Sequence, residues 1–207
     1  MKKAVIWDLD GTLLDSYDVI VESLFLTLSQ NGIEFSKKEI HQYAICASIN
    51  ALLTECAKKH NVDIETLKQC YSKISGSRYW DIKVMKQGRE TLQLLADHRI
   101  EQFVFTHRGK TTIPVLDNLN LTSFFREIIT SQHSFPRKPD PTALRYLIDK
   151  YDLDVANTYY VGDRSLDMEC AKNAGISGIL YMPEDSFDVA GAERFLVKEL
   201  IEILKIV

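Results

Sequence analysis

The sequence lacks the features that mark a membrane protein, a secreted precursor or a nucleic-acid-binding protein. No apolar run approaches the roughly 20 residues that a membrane span needs, and the apolar run after Lys3 is too short for a secretory signal. Acidic residues outnumber basic ones by 29 to 25, so the formal net charge is -4 and no basic footprint exists for nucleic acid. We therefore expect a cytoplasmic protein whose partners include neither a membrane nor a nucleic acid.

Cysteine is scarce, and its arrangement does not suggest chemistry. Four cysteines occur at widely separated positions: Cys46, Cys56, Cys70 and Cys170. Their spacing matches neither a zinc site nor a Cys-x-x-Cys redox pair, so we expect reduced thiols that serve packing. The chain has 207 residues, of which 45% are hydrophobic. That is enough for one sizeable domain, or for a domain with an insertion, around a buried core.

The most informative segment is residues 8–12, which read Asp-Leu-Asp-Gly-Thr directly after the apolar run 4–7. If that run is a strand, Asp8 and Asp10 point to the same side of it, and Gly11 then permits a sharp turn. Two neighbouring carboxylates repel each other, and a divalent cation is the simplest way to offset that repulsion. The competing interpretation is a solvated Asp-Gly turn, which is common after strands.

Apolar strand-like runs alternate with amphipathic helical patterns along most of the chain. The predicted strands are residues 3–7, 102–105, 127–130, 158–161 and 176–181. The helical patterns lie near residues 86–98, 110–119, 141–151 and 166–174, and Gly175 ends the last of them. This alternation predicts an α/β fold, a Rossmann-like parallel sheet with helices on both faces.

Residues 16–80 interrupt this alternation with successive helices and no convincing strand. The economical interpretation is a small α-helical cap domain, residues 16–80, inserted into an α/β core domain formed by residues 1–15 and 81–207. Turn-prone residues at 15–16 and 75–77 would be the two linkers. The alternative is that these helices pack directly onto the sheet.

Polar residues follow several predicted strands, where the functional groups of an open parallel sheet gather. Thr106 follows the second strand, Asp163 follows the fourth, and Asp167 falls in the first turn of the next helix. Lys138 precedes another helix, in a segment whose two prolines fix the backbone. Together with the acids of residues 8–12, these side chains make a set suited to magnesium and a phosphate group.

Taken in order, these segments resemble the four motifs of the haloacid dehalogenase-like (HAD) hydrolase superfamily. The matching segments are residues 8–12, Thr106, Lys138 with Pro139, and residues 162–167, which read Gly-Asp-Arg-Ser-Leu-Asp. The resemblance covers the whole chain, and the first and last motifs are highly specific. The helical insertion resembles the cap of the branch that contains phosphoglycolate phosphatase and β-phosphoglucomutase.

The resemblance implies a role for each acid. Asp8 would be the nucleophile that becomes an aspartyl-phosphate, and Asp10 would protonate the leaving group and then activate water. Asp8, the backbone carbonyl of Asp10, and Asp163 would bind Mg²⁺, while Asp167 would bind it directly or orient one of its waters. An acid at position 10 favours phosphoryl transfer over carbon–halogen cleavage, because halide leaves without a proton.

The resemblance assigns phosphate binding to the second and third motifs. Thr106 and Lys138 would hold the transferring phosphoryl group, and Lys138 would also steady the nucleophile. His107 stands where the family commonly has asparagine, and it is either a contact to the phosphate-bearing substrate or a local loop contact. Arg108 and Arg164 flank the predicted site, where they would either attract an anionic substrate or lie in solvent.

The predicted function is a magnesium-dependent phosphatase that hydrolyses a small phosphorylated metabolite through an aspartyl-phosphate. A sugar phosphomutase of the β-phosphoglucomutase type would use the same two aspartates, with the cap shielding the intermediate from water. A non-catalytic phosphate-binding protein with this fold is the third possibility. Every motif residue is present, which argues against that third possibility.

Overall fold

The computed structural model describes residues 2–46, 48–183 and 195–207, with the side chains of Ile45 and Cys46 excepted. The chain forms two compact units, one from Met1–Asp15 with Lys83–Val207 and the other from Ser16–Ile82. We call them the sheet unit and the helical unit. No helix among the described residues is long and apolar enough to cross a membrane. The cytoplasmic location expected from the sequence stays a prediction.

The sheet unit is organised around parallel strands. Its strands in chain order are β1 (Lys2–Trp7), β2 (Leu14–Asp15), β3 (Lys83–Val84), β4 (Glu101–Phe105), β5 (Glu127–Ile129), β6 (Leu153–Gly162), β7 (Ser177–Tyr181) and β8 (Phe195–Val197). In the described part of the chain, six of them form one sheet in the order β5-β4-β1-β6-β7-β8. Each neighbouring pair in that sheet is parallel, whereas β2 and β3 pair with each other in antiparallel fashion.

Helices make up the rest of the regular structure of the described residues. In chain order they are α1 (Tyr17–Gln30), α2 (Lys37–Cys46), α3 (Ile49–His60), α4 (Ile64–Arg78), α5 (Gly88–Asp97), α6 (Thr112–Asn118), α7 (Thr142–Tyr151) and α8 (Ser165–Ala174). Short 3-10 helices lie at Tyr79–Asp81, Thr122–Phe124 and Leu200–Lys205. The first four helices belong to the helical unit and the last four to the sheet unit.

Both faces of the central strand β1 are covered, as a parallel strand requires. On one face, β1 and β4 contribute to a buried apolar cluster with α7 and α8. On the other face, Gln102 of β4 accepts the indole N–H of Trp7 at 3.3 Å and donates to the Leu92 carbonyl of α5 at 2.9 Å. Trp7 is fully buried, so this bridge satisfies its N–H inside the protein. The predicted α/β architecture with helices on both faces is confirmed.

The helical unit has its own apolar core. Its buried members include Leu24 of α1, Leu52 of α3 and Leu67 of α4. Side chains cap two of its helices, because Ser48 accepts the Ala51 N–H at 3.1 Å and Asp63 accepts the Thr66 N–H at 2.9 Å. The described members of this apolar core all belong to the helical unit.

The structure differs from the sequence prediction mainly at strand ends. Strand β6 begins at Leu153 rather than at residue 158, because the polar residues of its first half hide the strand pattern. Strand β8 was not predicted at all, since three residues are too few to show alternation. Cys56 and Cys170 are free and buried, and Cys70 is free and half-buried, as predicted. The prediction for the side chain of Cys46 lies outside the described residues.

Candidate active site

The loop after β1 places a buried carboxylate at the carboxyl end of the central strand. Asp8 is 2% exposed, and its backbone N–H donates to the Val161 carbonyl of β6 at 2.9 Å. The chain then turns at once, because the Leu9 carbonyl accepts the N–H groups of residues 12, 13 and 14 at 3.1, 3.0 and 2.8 Å. Gly11 has a φ of 82° within this turn, a conformation that glycine adopts without a steric penalty.

Lys138 links two acids of the site. Its Nζ lies 2.8 Å from Oδ1 of Asp8 and 2.7 Å from Oδ1 of Asp167, and its side chain is fully buried. The rings of Phe105 and Tyr160 lie with their centroids 5.2 Å from Nζ, within the range of a cation–π contact. Burial alone lowers the pKa of Lys138, but the Asp167 and Asp8 carboxylates outweigh burial and raise that pKa. The site therefore contains a buried ammonium ion.

Asp167 lies at the start of α8, against the last residue of β6. One of its oxygens, Oδ2, accepts the Arg164 N–H at 3.3 Å as part of the helix cap. The Tyr160 hydroxyl lies 3.2 Å from Oδ1 and 3.0 Å from the Phe105 carbonyl. A Cβ on Gly162 would lie 2.6 Å from Oδ2, so a residue with a side chain does not fit at this position unless Asp167 moves.

Asp8, Asp163 and Asp167 form a group that could hold a metal ion. One carboxylate oxygen from each lies within 4.8 Å of the others, and the Thr12 hydroxyl donates to Oδ1 of Asp163 at 3.1 Å. Burial raises the pKa of Asp8, Lys138 opposes that rise, and repulsion from Asp167 adds to it. A divalent cation among these oxygens would relieve the repulsion, and carboxylate oxygens are the ligands that Mg²⁺ and Ca²⁺ prefer. The donor set therefore fits a hard divalent metal.

The loop after β4 presents Thr106 and His107. Thr106 is buried, its N–H donates to the Ile129 carbonyl at 3.0 Å, and its hydroxyl accepts the Arg108 N–H at 3.1 Å. His107 accepts the backbone N–H of Lys138 on Nε2 at 2.9 Å. Burial above all, with the charge of Lys138, lowers the pKa of His107 to about 3. The structure thus contains the local loop contact, and a phosphate-binding role for His107 stays a prediction.

Arg108 lies against Asp10. Its Nε is 3.1 Å from Oδ1 and 3.2 Å from Oδ2 of Asp10, and its Nη2 is 2.7 Å from Oδ1. Its Nη1 donates to the Thr111 hydroxyl at 2.9 Å. The side chain of Arg108 is only 10% exposed. The solvated position considered from the sequence is therefore wrong for this arginine.

Sequence reasoning missed three features of the site. It did not single out Tyr160, it included Gly162 in the last motif without assigning it a role, and it did not connect Arg108 with Asp10. The sequence could have indicated Tyr160, because it lies two residues before Gly162 of the last motif and alternate residues of a strand share a face. The other two features depend on distances that only the folded chain defines.

The fold and this group of carboxylates define a class of hydrolase, and the chain belongs to it. The model of the haloacid dehalogenase-like hydrolase family matches residues 5–181, a range that contains all four sequence motifs. The family resemblance inferred from those motifs is therefore confirmed.

Individual relatives are similar to this chain at moderate identity. The phosphoglycolate phosphatase of Aliivibrio fischeri is 28% identical over 184 residues, covering 84% of this chain and 81% of the relative. That of Pseudomonas savastanoi pv. phaseolicola is 27% identical over 185 residues, covering 86% and 68%. The crystal structure of a "predicted phosphoglycolate phosphatase" from Haemophilus somnus superposes with a TM-score of 0.88 at 21% identity. It covers 99% of this chain and 97% of its own, and it shares the fold.

Proposed function

We propose that this protein is a magnesium-dependent phosphatase that hydrolyses a small phosphorylated metabolite through an aspartyl-phosphate on Asp8. The observation that carries the proposal is the buried Asp8 carboxylate, 2.8 Å from Lys138 Nζ and grouped with Asp163 and Asp167. Membership of a hydrolase family supports the reaction type. The names of the curated relatives support a phosphate ester as the substrate.

The first chemical step transfers the phosphoryl group to the protein. A carboxylate oxygen of Asp8 attacks phosphorus, the bond from phosphorus to the ester oxygen breaks, and that oxygen takes a proton from Asp10. Lys138 holds Asp8 in place and favours its ionised form, because the ammonium ion opposes the effect of burial. Phosphoryl transfer depends mainly on such positioning and charge stabilisation.

The second step releases phosphate. A water molecule gives a proton to Asp10 and attacks the phosphorus of the aspartyl-phosphate, and the bond from phosphorus to Asp8 breaks. Asp8 returns as a carboxylate and Asp10 as an acid, so the site is ready for another turnover. We assign the binding of the phosphoryl group to Thr106, Lys138 and His107. His107 would contribute by holding Lys138 in place, because its Nε2 accepts the Lys138 backbone N–H.

Asp8, Asp163 and Asp167 would hold the magnesium ion, with the backbone carbonyl of Asp10 as a further ligand. When bound, Mg²⁺ supplies positive charge that stabilises the negative charge of the transferring phosphoryl group. The hydroxyl of Thr12 would orient Asp163 through the 3.1 Å hydrogen bond between them.

The helical unit and the substrate are the remaining parts of the proposal. We assign the helical unit, Ser16–Ile82, to the predicted cap domain, and we expect it to select the substrate. Because both curated relatives are named phosphoglycolate phosphatase, 2-phosphoglycolate is the first ester to test. The sheet unit would then carry the chemistry.

A substrate panel tests this function. Purified protein is assayed with Mg²⁺ against 2-phosphoglycolate, other phosphorylated metabolites, a sugar 1-phosphate and p-nitrophenyl phosphate, with release of inorganic phosphate as the readout. Chelation by EDTA should abolish release, and added Mg²⁺ should restore it. Asp8→Asn should abolish release, whereas the exposed Asp149→Asn serves as the matched control and should not.

Two results would contradict the proposal. Phosphate release by Asp8→Asn at the wild-type rate would refute the nucleophile. Conversion of a sugar 1-phosphate into its 6-phosphate, with no net release of phosphate from any ester, would identify a mutase instead.

A further inference from the structure

We propose that Arg108 is a positioning residue that fixes the orientation of the Asp10 carboxylate for proton transfer. This inference rests on the proposed function, because it assigns to Asp10 the proton that the leaving group takes. The residues concerned come from distant parts of the chain: Asp10 follows β1, whereas Arg108 follows β4. The neighbouring position of β1 and β4 in the parallel sheet brings their two loops together.

The contact between the two side chains has the geometry of a fork. Oδ1 of Asp10 accepts from Nη2 of Arg108 at 2.7 Å and from Nε at 3.1 Å, and Nε also lies 3.2 Å from Oδ2. A planar guanidinium that meets a carboxylate at more than one point restricts its rotation as well as its position. A lysine ammonium would supply the charge without this angular restriction.

Arg108 is itself anchored at both ends. Its backbone N–H donates to the Thr106 hydroxyl at 3.1 Å, and its Nη1 donates to the Thr111 hydroxyl at 2.9 Å. The guanidinium thus joins Asp10 to the loop that also carries Thr106. The result is a rigid support for Asp10 rather than a side chain that follows it.

Asp10 needs such a support more than Asp8 does. The side chain of Asp8 is 3% exposed and is fixed by Lys138, whereas that of Asp10 is 24% exposed. A proton donor must lie about 2.6–3.2 Å from the atom that receives the proton, and a misplacement of about 1 Å costs on the order of 100-fold in rate. The fork restricts the rotation of the Asp10 carboxylate, which then spends more of its time in the productive orientation.

Arg108 could instead bind an anionic group of the substrate. The geometry favours positioning, because Nε, Nη1 and Nη2 each already donate to an atom of the protein. The two roles also differ kinetically. Loss of a substrate contact raises KM for both esters, whereas loss of a positioned proton donor lowers kcat/KM mainly for esters whose leaving group needs a proton, because kcat/KM reports the transfer to Asp8.

The test compares Arg108→Ala, Arg108→Lys and Thr111→Val with wild type and with Lys110→Ala. Lys110 is an exposed cation in the same loop and serves as the matched control. Each protein is assayed with an alkyl phosphate ester, whose leaving group needs a proton, and with p-nitrophenyl phosphate, whose leaving group does not. Circular dichroism and thermal unfolding establish folding, and Arg108→Lys and Thr111→Val carry the test if Arg108→Ala does not fold.

The inference predicts a leaving-group-dependent loss. Because kcat/KM reports the steps up to phosphoryl transfer to Asp8, we expect Arg108→Ala to lose about 10- to 100-fold in kcat/KM on the alkyl ester, with a much smaller loss on the nitrophenyl ester. Arg108→Lys should recover only part of this loss, Thr111→Val should show a smaller loss of the same kind, and Lys110→Ala should show none. Added guanidinium ion should partly restore Arg108→Ala.

Several results would overturn the inference. Equal losses of kcat/KM on the two esters would place Arg108 at the phosphoryl group, a raised KM with unchanged kcat would make it a substrate contact, and unchanged kinetics would remove its role. In each of these cases the wild-type protein remains a phosphatase, so the proposed function survives. A wild-type protein that is inactive on both esters would overturn the proposed function and this inference together.

Discussion

Replacing Gly162 with alanine should displace Asp167 and so disable the site. The added Cβ would lie 2.5 Å from Cγ and 2.6 Å from Oδ2 of Asp167, whereas Cβ atoms in proteins essentially never lie within 3.0 Å of another heavy atom that is not bonded to them. Asp167 has no easy movement, because it is fully buried and Lys138 holds its Oδ1 at 2.7 Å. Overpacking a buried position destabilises a protein by about 1–3 kcal/mol. Each kcal/mol lowers Tm by about 2–4 °C for a chain of this size, so we expect a fall of roughly 2–12 °C.

Two other glycines provide matched controls for this substitution. A Cβ on Gly178 would meet the flexible thioether of Met168 at 2.8 Å, whereas a Cβ on Gly76, within α4, would meet nothing within 4 Å. Gly178→Ala should therefore lower Tm less than Gly162→Ala, and Gly76→Ala should leave it unchanged or raise stability by about 0.5–1 kcal/mol.

Thermal unfolding and steady-state kinetics distinguish a specific clash with Asp167 from a general effect of replacing glycine with alanine. Gly162→Ala should lose on the order of 100-fold in kcat, because a shift of about 1 Å in a site residue has that effect. Gly178→Ala and Gly76→Ala should keep wild-type kcat. Wild-type Tm and kcat in Gly162→Ala would show that a Cβ at this position does not displace Asp167, and an equal loss in all three variants would rule out a specific clash with Asp167.

Two further predictions concern pH and stability. Folding lowers the pKa of His107 to about 3, so below about pH 6.5 the unfolded chain binds a proton that the folded protein does not. The free energy of unfolding should therefore fall as the pH drops below about 6.5, and it should fall less steeply in His107→Asn. Urea unfolding at several pH values measures this, and identical slopes would contradict it. Burial raises the pKa of Glu127, but hydrogen bonds from Lys150 and two tyrosines outweigh burial and lower that pKa. The stability that the ionised Glu127 carboxylate contributes is present above about pH 4.5 and lost in acid. Glu127→Gln should therefore lower the free energy of unfolding by about 1 kcal/mol at pH 7 and by less at pH 3, whereas a purely steric defect would cost the same at both pH values.

The arrangement of the fold and of the acids could be predicted from the sequence because both depend on strand ends. Alternating strands and helices imply a parallel sheet, and the carboxyl ends of parallel strands share one edge. Asp8 and Asp163 follow two such strands, and the structure places their carboxylates in one group with Asp167. Lys138 is less obvious, since no strand precedes it directly. Its two neighbouring prolines drew attention to the segment, and the match to a family motif gave the lysine its role.

Contacts between loops could not be predicted in the same way. Arg108 and Asp10 are 98 residues apart, and nothing in either segment specifies that one side chain turns toward the other. The need for glycine at position 162 depends on the position of Asp167, which only the packing of α8 against β6 defines. Side-chain partnerships of this kind require coordinates, because many rotamers are compatible with the same backbone.

Trapping the phosphorylated protein identifies the residue that carries the phosphoryl group during turnover. Wild-type protein with Mg²⁺ and a hydrolysed ester is quenched in acid during turnover, and its peptides are analysed by mass spectrometry. We predict a phosphoryl group on Asp8 of the wild-type protein and none on any peptide of Asp8→Asn. A phosphoryl group on another residue, or turnover by Asp8→Asn at the wild-type rate, would contradict this prediction.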